Sequence, residues 1–414
     1  MMTGELISND KIAIVFDDMV EFYAVKNGID ALTKEGICID LIVPLNYSDR
    51  QSLLDETYRE ILKHGYSPIR ETDSSTTYKI LLEPNPTEHY FLPEKVSYEF
   101  RIKYKYSLIS AKPSPIYEAP RNIVYDAILC YTKREADILG AYTKTFLVSP
   151  MRYKGFEKNT ERPHGKPILL YAPTFGHASS IDTIGEAIQA LKEDYYVIVK
   201  AHHLTQYREN ERNRIDILKS NSDEYYDQTA DLVELLKRAD VMLSDNSGSI
   251  FEALYAEVPV AVYHNDTFNK RRLGRIDTYQ HQLITRGIVP HTTDIKEISG
   301  ILKAAVEKRD EQRKEKGDFL EPGDVTAEFV SVLKHFLGQD RNNSEYYAMH
   351  DIIRDTHIQQ AEKIESLENE LALQAEKIEC LESDICGLRN SKQFKLAGKL
   401  IAPYRFFARK GARC

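Results

Sequence analysis

Cysteine is scarce and scattered: Cys38, Cys130, Cys380, Cys386 and Cys414 are the five in 414 residues. None forms a metal-type CxxC pair, and a chain this long buries cores without disulfide staples, so a reducing cytoplasm is the expected setting. Long apolar runs are missing too. No stretch approaches the ~18 uninterrupted apolar residues of a membrane span, and Met1–Lys11 lacks the basic segment and apolar run of a signal peptide, so any membrane contact is expected to be peripheral, on the cytoplasmic face. Acid is missing from one place. Arg389–Cys414 holds eight Lys or Arg and no Asp or Glu, whereas the whole chain carries a formal charge of −9. The body is therefore strongly acidic, which argues against nucleic acid as a partner, while the basic, aromatic end suits an anionic surface. No Asp-x-Asp metal motif stands at a predicted strand end. Basic groups, rather than a metal or a cofactor, are expected to neutralise any leaving diphosphate.

What is present centres on Ala239–Tyr263. A short apolar strand (Val241–Leu243) ends in the small polar turn Ser244–Ser249, and an amphipathic helix follows over 250–257. Helix N-termini carry unpaired N–H groups and partial positive charge, so this order makes a seat for an anion. Ser247 and Ser249 add hydroxyls, Gly248 removes a Cβ, and Asp245 stands where open parallel sheets bind ligands. An ordinary serine-capped turn is the plainer reading of the same residues.

The chain opens as a βαβ unit: strand Lys11–Phe16 ending in Asp17-Asp18, helix Val20–Lys34, strand Ile37–Leu45. A helix over 50–64, strands at Tyr78–Leu82, Ser107–Ser110 and Val124–Tyr131, helix Lys133–Tyr142 and strand Lys144–Val148 continue a parallel pattern. Residues 1–150 thus form one doubly wound domain, although Glu83–Tyr106 shows no clear period. A polar linker, 151–165, precedes a second series over 166–345: strand Ile168–Ala172, helix Ile181–Leu191, strand Tyr195–Lys200, helix Asp231–Arg238, the central strand–turn–helix, and strand Val260–Tyr263. Weaker helical patterns follow at 294–309 and 325–337. The fold class is α/β, two Rossmann-like doubly wound domains followed by a C-terminal coiled-coil helix.

The coiled coil is expected over 350–390. Ile364, Leu367, Leu371, Ile378, Leu381, Ile385 and Leu388 fall on heptad spacing with Gln374 at one seam position, and Gln-Ala-Glu-Lys-Ile-Glu at 360–365 recurs at 374–379. Self-association through 357–388 and a fold-back of a lone helix are both open. Residues 391–414 interleave cations with Phe394, Tyr404, Phe406 and Phe407, as headgroup-binding segments do. A solvated tail is the alternative.

Three strand ends of the second domain converge: Pro173-Thr174-Phe175-Gly176-His177, Lys200-Ala201-His202-His203, and Asp245–Ser249, with Asp266 and the basic Lys270, Arg271, Arg272 and Arg275 beyond. Cations and N–H donors are what a phosphate ester needs as charge moves between its oxygens, and an imidazole titrates near neutrality. Residues 168–277 resemble the CDP-glycerol glycerophosphotransferases, teichoic-acid and capsule polymer enzymes of the glycosyltransferase-B (GT-B) architecture. The resemblance lies in Leu170-Tyr171-Ala172-Pro173-Thr174, Lys200-x-His202, Ser244-Asp245-Asn246-Ser247 and Pro259-x-x-x-Tyr263-x-x-Asp266. It implies a transferase that takes a group from a CDP- or UDP-linked donor to a surface-polymer or lipid-linked acceptor. By the same resemblance His202 contacts the donor pyrophosphate or protonates the leaving nucleotide, Ser247 and Ser249 hold phosphate, and Asp266 lies near the donor. Thr174, Lys200, Asp245, Gly248, Glu252 and Arg272 complete the expected donor site, with His203 as a second catalytic imidazole.

There are departures. The family's first-domain His-Gly has no counterpart, since Lys103–Lys112 contains no histidine, and Asp17 is the substitute base on position alone. The second Ser of the family's pair is Gly248. A Ser-Asp-x-Ser-Gly turn followed by Glu252 also resembles nucleotide-sugar 2-epimerases and general glycosyltransferases, where a helix carboxylate binds a ribose. A non-catalytic scaffold acting through the coiled coil is the rival from another class.

Overall fold

The computed structural model describes residues 11–390 except 46–50, 73–75, 85–95, 109–119, 163–164, 177–178, 206–210, 246, 265–278 and 319–323. The described chain forms two compact units, 1–347 and 348–414.

The first unit holds two six-stranded, wholly parallel sheets. The first contains β1 (Ile12–Val15), β2 (Ile39–Ile42), β3 (Thr77–Glu83), β4 (Ser97–Lys103), β5 (Ala127–Cys130) and β6 (Lys144–Leu147), in the order β2-β1-β3-β4-β5-β6. Its helices are α1 (Met19–Lys34), α2 (Gln51–Lys63) and α3 (Lys133–Leu139). The second contains β7 (Ile168–Ala172), β8 (Tyr196–Lys200), β9 (Glu224–Tyr226), β10 (Val241–Ser244), β11 (Val260–Tyr263) and β12 (His291–Thr292), in the order β12-β11-β10-β7-β8-β9. Crossovers are helical because parallel neighbours cannot be joined by a tight turn. They are α4 (Ile181–Ile184), α5 (Ile188–Leu191), α6 (Arg212–Asn221), α7 (Leu232–Arg238), α8 (Ser249–Tyr255) and α9 (Tyr279–Thr285); α10 (Ile298–Glu307) and α11 (Arg309–Lys314) follow the last strand.

Strands apolar on both faces need cover on both. In β7, Leu169 and Tyr171 pack with Ile181, Ile184, Ile188 and Leu302, while Ile168, Leu170 and Ala172 join the core that contains Val233, Leu236 and Ile250. Helices thus lie on each side of the second sheet, as its alternating pattern requires.

Three local differences from the sequence reading have physical causes. The strand expected at Ser107–Ser110 is absent from its described half, and β4 lies instead in the piece without clear period. Its last four residues are all buried, Arg101 and Lys103 among them, because Arg101 pairs with Glu83 and Lys103 donates to Asn122 at 2.9 Å. Paired charges hide a central strand from a hydrophobic pattern. The helix expected over 181–191 is broken at Gly185, where a Cβ would approach the Ile181 carbonyl oxygen to 2.5 Å and Ile217 to 2.8 Å. The edge strands β9 and β12 are too short, at 3 and 2 residues, to show a period.

A larger difference concerns where the second lobe ends. The sequence pattern extends it to 345, but α12 (Ala327–Leu337) packs on the first lobe. Phe336 meets Phe100 at 5.1 Å and Phe146 at 5.6 Å, Lys334 pairs with Glu35 at 2.6 Å, and Arg341 pairs with the buried Asp126 at 2.7 Å. Sequence order alone placed α12 with its neighbours; its aromatic face fits the first sheet.

Gly28, midway along α1, permits this return. A Cβ there would come within 2.6 Å of both Met151 Sδ and Phe329 Cε1. Gly28→Ala would gain about 1 kcal/mol of helix propensity, but overpacking costs about 1–3 kcal/mol. Thermal unfolding is expected to show a lowered Tm, where an exposed helical glycine would show a raised one.

The second unit's described structure is α13 (Glu345–Asn390), a helix of 46 residues that begins within the first unit. This helix runs through 350–390, where the coiled coil is expected, and shows no paired helix among the described residues; the basic tail 391–414 lies outside them. Among the described residues no helix is long and apolar enough to cross a membrane.

Candidate active site

In an open parallel sheet, ligands bind at the carboxyl ends of strands where the strand order reverses. The first sheet reverses at β1, which lies between β2 and β3 and ends in Asp17-Asp18. The second reverses beside β7, which lies between β8 and β10, so the turns after Ala172, Lys200 and Ser244 are neighbours. The three strand ends expected to converge do so.

In the first lobe, Asp18 caps α1 by accepting the Glu21 N–H at 3.1 Å, and Glu21 accepts the Asp17 N–H at 2.6 Å. This reciprocal arrangement satisfies two orphan donors at the helix start. Tyr104 donates to the Val15 carbonyl at 2.9 Å and Thr57 to the Asp17 carbonyl at 3.3 Å, so the strand end is braced from two sides. Burial, with Asp17 and Asp18 adding to it, holds the Glu21 carboxyl well above the usual carboxylate range. Asp17, the candidate base, is thus part of a buried acidic cluster.

In the second lobe one buried carboxylate ties two of the turns together. Asp245 Oδ1 accepts the Thr174 N–H, and Oδ2 accepts both the N–H and the hydroxyl of Ser180, each at 2.8 Å. Burial still raises the Asp245 pKa to about 6, with those donors pulling it down. Ser247 donates its N–H to the Asp245 carbonyl at 2.8 Å. Ser249 lies 3.0 Å from the hydroxyls of Ser244 and Ser247, and Ser244 donates to the Ala172 carbonyl at 2.8 Å. Gly248 has right-handed backbone (φ −62°), which any residue adopts; Gly176, at φ 69°, takes the left-handed region that favours glycine.

At the end of β8, Lys200 is buried and donates to the Ala201 carbonyl at 3.0 Å. Burial, then Arg152, pushes it down to about 8, against Asp227, Asp231 and Asp18. The His202 ring lies 4.4 Å from the Phe175 ring and 4.0 Å from that of His203. Its Nδ1 accepts the Leu204 N–H at 3.2 Å, so a neutral ring carries its proton on Nε2.

The lobes meet around these groups. His203 Nε2 stands 3.5 Å from Asp18 Oδ2, Tyr23 donates to the Thr229 carbonyl at 2.7 Å, and Gln228 donates to Glu56 at 2.6 Å. Arg152, in the expected linker, pairs with Asp231 at 2.5 Å. Glu252 accepts the Leu108 N–H at 3.3 Å and the Tyr153 hydroxyl at 2.5 Å. Burial raises its pKa, and Arg152 and Tyr153 oppose the rise.

Thr174, Lys200, His202, His203, Asp245, Ser247, Gly248 and Ser249 are therefore brought to the second switch point or its rim, and Asp17 to the first. Asp266 and Arg272, with His177 and Asn246, lie outside the described residues. Asp18, Glu21, Arg152 and Asp231 were not singled out from sequence. Of these only the Asp18-x-x-Glu21 spacing is a legible local signal.

Two doubly wound lobes whose switch points face one another define a two-lobed α/β fold of the nucleotide-binding kind. Residues 144–327 match the family model of CDP-Glycerol:Poly(glycerophosphate) glycerophosphotransferase, a stretch that contains the whole of 168–277. Over 121 residues the chain is 36% identical to the teichoic acid glycerol-phosphate primase of Bacillus subtilis, a match covering 28% of this chain and 30% of that protein. Among solved structures, the wall teichoic acid polymerase TagF is similar at a TM-score of 0.51 and 14% identity, covering 79% of this chain and 88% of that one. A protein of Listeria monocytogenes described as a UDP-N-acetylglucosamine 2-epimerase is similar at 0.52 and 16%, covering 81% and 98%. At these identities the structural likeness is one of fold. The family resemblance read from residues 168–277 holds.

Proposed function

We propose that this chain is a transferase that moves glycerophosphate from a CDP-linked donor to a cell-wall polymer or lipid-linked acceptor. The observation that carries the reading is the coincidence of the matched stretch, 144–327, with the strand ends that bring Thr174, Lys200, His202 and Ser247 to one switch point. In the reaction the acceptor hydroxyl attacks the phosphorus that bears glycerol, the bond from that phosphorus to the bridging oxygen breaks, and CMP leaves. Lys200 and the hydroxyls of Ser247 and Ser249 take up charge on the diphosphate. His202, with its proton on Nε2, protonates or hydrogen-bonds the departing phosphate.

The acceptor proton needs a base in a chain whose Lys103–Lys112 segment holds no histidine. Asp17, at the end of β1, and His203, held by Asp18, are the candidates. Asp245 serves by fixing the two phosphate turns, since its carboxylate oxygens are taken by Thr174 and Ser180. Glu252 likewise ties the lobes through Leu108 and Tyr153, and a ribose contact would need those bonds to exchange. The membrane-facing part of the reading rests on 391–414, whose cations and aromatics suit an anionic inner leaflet during capsule or teichoic-acid assembly.

The missing first-lobe histidine also favours a second reading, a nucleotide-sugar donor handled by different base chemistry. Incubating the protein with a panel of CDP- and UDP-linked donors separates the two. Release of CMP from CDP-glycerol is expected; release of UDP instead assigns glycosyl transfer, and release of neither from any donor returns the chain to the scaffold class.

A further inference from the structure

Among the described side chains, four apolar residues of the α13 seam are uncovered. Leu367, Leu371, Ile378 and Leu381 are 48%, 64%, 57% and 53% exposed, more than such side chains tolerate in a row on one helix face. Heptad lettering places Ile364, Leu371, Ile378 and Ile385 at position a, and Leu367, Gln374, Leu381 and Leu388 at d. We infer that α13 pairs with α13 of a second copy of this chain, as a parallel, in-register, two-stranded coiled coil.

Two independent features of the pattern select this partner and this orientation. The first is Gln374. In a parallel coil d faces d, so an in-register pair sets Gln374 against the partner's Gln374, and each amide both donates and accepts. In an antiparallel register that pairs 364–385 d faces a, and every a position from 364 to 385 is Ile or Leu, so each Gln374 would be buried against hydrocarbon. A parallel pair slipped by one heptad has the same fault, because Leu367 and Leu381 occupy the neighbouring d positions. One polar seam residue thus specifies alignment at some cost in stability, and mostly Ile at a with Leu at d favours two strands.

The second feature is the charge flanking the seam. Positions g are Lys363, Glu370, Lys377 and Asp384; positions e are Glu368, Ala375, Glu382 and Arg389. A parallel coil sets each g residue against the partner's e residue five positions on. Lys363 then meets the partner's Glu368, Lys377 the partner's Glu382, and Asp384 the partner's Arg389; Glu370 meets the partner's Ala375. Three of the four pairings are attractive and none is repulsive.

Sedimentation of the full-length chain tests this. Wild type is expected to sediment as a dimer at micromolar concentration. Lys363→Glu with Lys377→Glu places like charges across both sides of the seam, and the Kd is expected to rise at least about tenfold. Adding Glu368→Lys and Glu382→Lys to that variant restores opposite charges only in a parallel, in-register pair, and is expected to bring the Kd back to within about threefold of wild type. The restored protein carries more substitutions than the disrupted one, so its recovery separates lost pairing from misfolding. A monomeric wild type overturns the proposal, as does a fourfold variant that stays as dissociated as the double one.

Discussion

His202→Ala is expected to lower the rate of donor cleavage by about 10²–10⁴-fold while leaving the fold intact. The ring is partly exposed, stacks beside Phe175 and His203, and accepts the Leu204 N–H, and replacing a side chain outside the core should change stability by less than about 1 kcal/mol. Its chemical value lies in Nε2, which carries the proton while Nδ1 is engaged by Leu204. His202→Gln separates the two parts assigned to that proton. Gln keeps an N–H donor but does not titrate, so retention of most of the rate points to a hydrogen bond on the diphosphate. A loss equal to that of the alanine variant points to proton transfer. Lys200 adds a pH arm: a lysine pushed down to about 8 loses its charge near that pH, well below the usual ~10.4, so the donor KM is expected to climb as pH rises past 8. Single-turnover CMP release beside a thermal melt measures all three. A His202→Ala enzyme within threefold of wild type sinks the assignment.

Much of this site was legible because strand-end position is a geometric rule. The continuous apolar runs at 168–172, 241–243 and 260–263 announce buried parallel strands, and whatever follows them must stand at the sheet's carboxyl edge. What stayed hidden has two physical origins. Buried charges with partners break the hydrophobic pattern, as Arg101 and Lys103 do in β4. The roles of side chains depend on neighbours remote in sequence: the donors to Asp245 are 71 and 65 positions away, so the bracing done by a carboxylate expected in the donor site cannot be read locally. Asp18 and His203, contributed by different lobes, show the same limit. The return of α12 onto the first lobe was illegible for that reason too, because nothing local to Phe329 and Phe336 names the sheet they cover.

Asp245→Ala is expected to be the most damaging single change in the second lobe, in stability and in turnover together. Removing the carboxylate leaves the Thr174 N–H and both Ser180 donors without acceptors in a site with no solvent access. Unmet buried donors cost about 1–3 kcal/mol each, and a loss on the order of 3–5 kcal/mol is expected after relaxation. The turns after β7 and β10 would part, so Ser247 and Thr174 would lose their common frame and the donor KM should rise. Asp245→Asn keeps one acceptor but turns an N–H toward the Ser180 N–H, and should fall between wild type and alanine. The pH dependence has a definite sign. Burial raises the folded pKa to about 6, above the unfolded value near 3.9, so the folded state binds the extra proton as pH falls from 6 toward 4 and is stabilised there. Alanine has no such group. The gap in stability between wild type and Asp245→Ala should therefore be wider at pH 5 than at pH 8 by about 1 kcal/mol. Denaturant unfolding at the two pH values measures it, and an equal or narrower gap at pH 5 would show that this carboxylate is not held above its ordinary pKa.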